Sequence, residues 1–137
     1  MLWDEERWHA IEARQLQSCR EAGLLAQLVI SLNSMVILTV WRGDFADATA
    51  LIAEAETIGA ATGTRFAPYG TLLLAGLRGS EAEAAPLIEA VFTTARAAGH
   101  GGVVEVSQWA AAILCNGLGR YETALAEAQQ AGPAHWP

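Results

Sequence analysis

Apolar residues recur along this chain at helical spacing, and glycines cut the pattern into segments. The stretch "WRGDFADA", residues 41–48, shows how. An apolar run ends at Trp41, a glycine follows, and Phe45, Ala48, Ile52, Ala55 and Gly59 then recur every three to four residues, as on one face of a helix. Gly43 can take the left-handed conformation that ends a helix, because it has no Cβ to clash. Asp44 is placed to accept from the free N–H groups of the next helix. A connection this short joins antiparallel neighbours.

Extended along the chain, the pattern predicts seven helices, at about 3–22, 24–42, 44–62, 67–77, 80–98, 102–118 and 120–131, with a helix-breaking tail at 132–137. Ser80 with Glu83 fits a capping box. Pro68 suits the first turn of the fourth helix. Pro86 either kinks the fifth helix in its second turn or delays its regular part.

The punctuation repeats. Gly43, Gly79 and Gly119 are separated by 36 and then 40 residues, and alanine follows each five positions later, at Ala48, Ala84 and Ala124. A second set, Gly23, Gly63 and Gly99, lies between them. This is an internal repeat of a two-helix unit at the period of helical solenoids. The expected organisation is one domain over 1–137: a half unit at 1–22, then units at 24–62, 64–98 and 100–131. Both ends of such an array lack polar caps, and a two-fold homodimer is expected to cover one of them.

Composition narrows the function classes. Of 137 residues, 53% are hydrophobic, and all eight basic residues are arginines. The abundance of Ala, Gly and Arg suits GC-rich codons and a bacterial source. A net charge of −7 with arginines spread singly excludes the basic stripe that nucleic acid requires. Cys19 and Cys115 are far apart without a CxxC, which reads as reduced thiols in a cytoplasmic protein. The N-terminus "MLWDEERWH" lacks the basic region of a signal peptide. The run "LLAQLVISLNSMVILTVW", 24–41, approaches the length of a membrane span, but its Gln, Ser, Asn and Thr residues favour a central packed helix.

The segment "ILCNGLGRYETALAEAQQA", 113–131, resembles the middle of a tetratricopeptide repeat, with glycine, a charged residue, an aromatic and then alanine at the inter-helix turn. "WRGDFADATALIAEAE", 41–56, matches it again. The closing proline of such repeats is replaced by Gly63 and Gly99. Together with "ATGTRFAPYGTLLLAGLRGSEAEAAPLIEA", these segments resemble the helical-repeat region of large, ATPase-bearing (MalT-like) LuxR-family transcriptional regulators of actinobacteria, over about residues 20–131. The resemblance implies an all-α, right-handed, TPR-like superhelix of αα-hairpins. It also implies a segment that receives a protein partner or small effector. The chain carries no GxxxxGK[ST] and no basic recognition helix, so ATP hydrolysis and direct DNA reading are not expected of it.

Candidate chemistry is sparse. Glu6 and His9 form a single ExxH, and Glu5, His9 and Glu12 share a face, but a carboxylate-bridged metal site needs two such motifs. A Cys–His nucleophile would require Cys19 or Cys115 beside His9, His100 or His135. "GHGGV" has no accompanying GxSxG. No catalytic residue, metal or cofactor is assigned. In TPR-like arrays the first helix of each unit lines the concave face, which points to Ser31, Ser34, Tyr69, Glu105, Gln108, Trp109 and Asn116 as a binding groove. Trp3, Trp8 and Trp41 are read as packing residues. The function expected is protein interaction or ligand sensing within a LuxR-type regulator. The alternatives are a small hydrolase with its site at a dimer cleft, and an apolar small-molecule pocket between helices 2, 4 and 6.

Overall fold

The computed structural model describes residues 4–64 and 67–131. Seven α-helices account for nearly all of them: α1 (Glu5–Ala22), α2 (Leu25–Trp41), α3 (Phe45–Thr62), α4 (Tyr69–Arg78), α5 (Glu81–Ala97), α6 (Gly101–Gly117) and α7 (Tyr121–Ala131). There is no strand among the described residues. The protein is all-α, built of helical hairpins, and every helix falls within two residues of its expected bounds.

The turns work as the glycine pattern predicts. Gly43, Gly79 and Gly119 have φ of +81°, +72° and +74°, a region that L side chains enter only under strain. At Gly43, Gly119 and the equally left-handed Gly99, the next N–H turns back onto the helix it has just left. Asp44 N–H donates to the Thr39 carbonyl at 3.1 Å, His100 N–H to Ala95 at 2.9 Å and Arg120 N–H to Cys115 at 2.8 Å. This closure satisfies carbonyls that a helix end otherwise leaves open.

Capping differs from expectation in two places. Ser80 occupies the N-cap of α5, yet its hydroxyl makes no capping bond, so the capping box with Glu83 does not form. Asp44 likewise caps α3 by position only. Its carboxylate is drawn to Arg42 Nε at 3.6 Å instead. Asp4 is a working cap: its carboxylate accepts from Arg7 N–H at 2.9 Å. Pro68 immediately precedes α4 rather than lying inside it, and α5 starts before Pro86 and carries it internally. The helix is therefore not delayed until after the proline.

The chain divides into two compact units, 1–70 and 71–137. In the first, α2 packs between α1 and α3. Leu16 and Cys19 of α1 meet Leu28, Leu32 and Met35 of α2, with Leu51, Ala55 and Ile58 of α3 against them. Nine residues of α2, from Leu28 to Val40, are buried, so the greasiest run of the chain is a central helix. No helix among the described residues is long and apolar enough to cross a membrane. Gly70 lets the start of α4 approach α2, since a Cβ there would overlap Val36.

In the second unit α6 holds the same central place, packed against α5 and α7. Leu72 of α4, Ala84 and Ile88 of α5, and Ala110 and Leu114 of α6 form its core. The repeated alanines Ala48, Ala84 and Ala124 are all buried. Their small side chains set how closely each hairpin packs.

A doubly bonded Arg–Glu pair ties the outer helices of each unit. Arg20 of α1 reaches Glu54 of α3 through two nitrogens, at 2.6 and 3.1 Å. Arg120, just before α7, grips both carboxylate oxygens of Glu81 on α5, one at 2.9 Å. The Arg120 hydrogen bond and charge hold the Glu81 carboxyl below its ordinary value, and Glu81 in turn raises Arg120.

Candidate interaction face

The inner helix of each hairpin shows one side that no other helix of its unit covers. On α6 that side is carried by Glu105, Trp109, Ala112, Ile113 and Asn116, whose spacing places them within one helical face. Glu105, Trp109 and Asn116 are exposed, and Ala112 and Ile113 are half-buried between them. Trp109 is 50% exposed, a large apolar surface to leave in water. Among the described residues, neither Glu105 nor Trp109 makes a hydrogen bond or ion pair. The opposite side of α6 is closed off: Ser107 is buried, and Ala110 lies so near α4 that a Cβ on Gly76 would meet the Ala110 carbonyl oxygen at 2.8 Å.

The α2 helix presents a comparable face in its own unit. Ile30, Asn33, Ser34, Ile37 and Trp41 share one side, with Ile30 and Trp41 exposed and the three others half-buried. Asn33 donates to the Val29 carbonyl at 3.3 Å, a bond within its own helix.

The expected groove residues therefore separate. Glu105, Trp109 and Asn116 are brought together on α6. Gln108 is turned aside towards α7, where its amide bonds Gln130 at 3.3 Å. Ser34 lies on the α2 face, and Tyr69 is half-buried at the start of α4. Ser31 is elsewhere: it is 1% exposed, within 3.5 Å of Gln15 Nε2 and 3.9 Å of Cys19 Sγ, inside the α1–α2 interface.

Trp41 and Trp8, read as packing residues, are exposed, Trp41 by 55%. Trp8 donates its indole N–H to Glu12 at 3.2 Å. Trp3 lies outside the described residues. The sequence did carry a signal for the shared face. Asn33, Tyr69 and Trp109 each stand ten residues before a turn glycine, and Ile37, Leu73 and Ile113 each stand six before it. The correspondence holds between α2 and α6, where Ile37 and Ile113 are both half-buried, but not on α4, where Leu73 is buried.

The chemistry sketched for a catalytic or metal site is dispersed. Cys19 is buried, Cys115 is half-buried, and both are free thiols. His100 is an exposed N-cap at α6. His9 is half-buried on α1, Glu6 and Glu12 lie on the same helix, and the Glu5 side chain and His135 lie outside the described residues. No group of three or more His, Cys, Asp or Glu side chains among the described residues could hold a metal ion. A small cleft of about 280 Å³, lined by His9, Met35, Thr39, Asp44, Asp47, Ala50 and Leu51, opens in the first unit. Its acids are partly engaged, Asp44 with Arg42.

No family model matches the chain, and neither the curated proteins nor the solved structures contain one that matches it.

Proposed function

We propose that the chain is a protein-interaction or ligand-sensing helical-repeat segment of a LuxR-type transcriptional regulator, and that it binds rather than reacts. One observation carries this reading: the uncovered face of α6, where a half-exposed tryptophan lies between an unpaired carboxylate and a carboxamide on a rigid, packed helix. Large aromatic side chains on a fixed scaffold are the usual anchors of protein interfaces, since they bring much apolar area at little cost in side-chain freedom. The repeated turn geometry supports a scaffold role as well. The assignment to LuxR-type regulators rests on the motif resemblance at 41–56 and 113–131.

A transcription reporter driven by the parent regulator tests it. Trp109→Ala should abolish the response to the inducing signal while the helical content and the DNA affinity of the regulator stay unchanged. A full response in that variant defeats the reading. The surrounding reading frame supplies a second check, because the proposal requires a P-loop ATPase upstream and a helix-turn-helix downstream in the same regulator.

The homodimer belongs to the same proposal. Tyr121 and Leu125, one turn apart on α7, are 69% and 59% exposed. Two copies of such a step can cover one another about a two-fold axis. Light scattering at micromolar concentration should give twice the 14.5 kDa chain mass, and Leu125→Glu should halve it. A monomer in the unmodified protein refutes the dimer.

A further inference from the structure

We infer that the exposed face of α6 docks a basic amphipathic peptide segment of another protein, with an arginine or lysine lying over the Trp109 indole and paired to Glu105. The inference rests on the interaction reading above and adds the chemistry of the partner.

Three features of the face point to a cation. Glu105 is the single charged residue of α6, and no lysine or arginine lies anywhere on that helix. Trp109 follows it by four residues, so the two are neighbours on the surface. Helical side chains lean towards the N-terminus, which directs the indole over the turn that carries Glu105. An indole face attracts a cation through its quadrupole, and a carboxylate beside it adds a charge of the same preference. An anion placed there would meet two repulsions. The protein already uses such a pairing internally: the Arg96 guanidinium lies 5.9 Å from the centre of the Phe92 ring.

The apolar character of the face selects a peptide. Ala112 and Ile113 continue the surface beyond Trp109, and Asn116 ends it with an amide able to meet backbone groups. A single indole on an open helix surface cannot enclose a small free cation. An amphipathic segment matches the whole stripe, because its apolar residues cover Ala112 and Ile113 while its basic residue reaches Glu105. The net charge of −7 steers the same kind of partner towards the protein.

The test uses two fluorescein-labelled amphipathic peptides of equal length and identical leucine and alanine pattern. One carries arginine at its polar positions and the other glutamate. Fluorescence anisotropy at physiological salt should show the arginine peptide binding about tenfold more tightly. Trp109→Ala should weaken it by about threefold or more. Glu105→Arg should reverse the ranking of the two peptides. Glu56→Arg, an equal change of charge at an exposed site on α3, should leave the ranking intact.

Several results overturn the inference. Binding of neither peptide does so, as does an effect of Glu56→Arg equal to that of Glu105→Arg, which would mean attraction by net charge alone. If both peptides bind equally and both are weakened by Trp109→Ala, the face is an interaction surface and only the cationic partner is refuted. If Trp109→Ala changes neither, the interaction reading fails along with it.

Discussion

Gly76→Ala tests the packing that holds α6 in place. The perturbation is one methyl group. Built on Gly76, it would lie 2.8 Å from the Ala110 carbonyl oxygen and 3.5 Å from Ala110 C and Cα. The obstacle is backbone within a helix, so no rotamer change relieves it, and α4 and α6 must move apart. A gap of about 0.5 Å already forfeits about a quarter of the dispersion attraction along such a seam. Overpacking of this kind costs about 1–3 kcal/mol, and a backbone obstacle belongs at the upper end. Against this, alanine is favoured over glycine inside a helix by about 1 kcal/mol. The net expectation is a loss of about 2 kcal/mol. With a urea m-value of about 2 kcal/mol/M, the unfolding midpoint followed by far-UV circular dichroism should fall by about 1 M. Gly117→Ala is the control, because nothing lies within 4 Å of a Cβ there and its φ is not positive. That variant should gain about 0.5–1 kcal/mol. If Gly76→Ala is as stable as the parent, the two helices are not in backbone contact and the account of the second unit is wrong.

Three further predictions follow from particular contacts. Gly70→Ala meets a side chain instead of backbone, so it should destabilise alone and be partly rescued by Val36→Ala. Additive urea midpoints in that double-mutant cycle would refute the contact. Asp4→Ala removes a formed cap and should cost about 1 kcal/mol, whereas Ser80→Ala, whose hydroxyl caps nothing, should change stability by only a few tenths; equal losses would contradict the cap geometry. Glu81 has its carboxyl held below 4.5 by Arg120, so the unfolded chain takes up that proton first on acidification. Its contribution is present above the ordinary value and is lost as pH falls through the lowered one. Thermal midpoints of the parent should therefore drop more steeply than those of Glu81→Gln as the pH falls below the ordinary carboxylate value, and parallel curves would show the pair to be inert.

Much of the fold was legible because its grammar is local. Gly43, Gly79 and Gly119 announce reversals through a backbone conformation that other residues avoid, and Ala48, Ala84 and Ala124 mark the buried side of the helices that follow. Side-chain caps were less legible. Ser80 and Asp44 hold the expected positions, but neither caps its helix, and Asp44 turns to Arg42. A short polar side chain chooses among several partners of similar energy, and sequence spacing does not rank them.

The interaction face shows the same division. Periodicity alone put Glu105, Gln108 and Asn116 on one side of α6, with Trp109 able to join them. It could not separate that side from the flank that meets α7, a quarter-turn away, and so it included Gln108, which pairs with Gln130. Ser31 was misjudged for a related reason. A serine in an apolar helix is compatible with a groove or with an interface, and only the approach of Cys19 and Gln15 shows that it is buried. Trp41 erred in the opposite direction, because hydrophobicity predicts burial only when another element is there to cover the ring.

Read from sequence alone, this protein is a run of helices of known length, reversing at known glycines, with alanines at repeated inner positions. Those features depend on φ, side-chain volume and spacing along one chain, and each residue carries them by itself. Which flank of a helix meets its neighbour, how near Gly76 comes to Ala110, and which tryptophans stay in water depend on pairs of residues far apart in the chain. Such pairs exist only once the helices have packed.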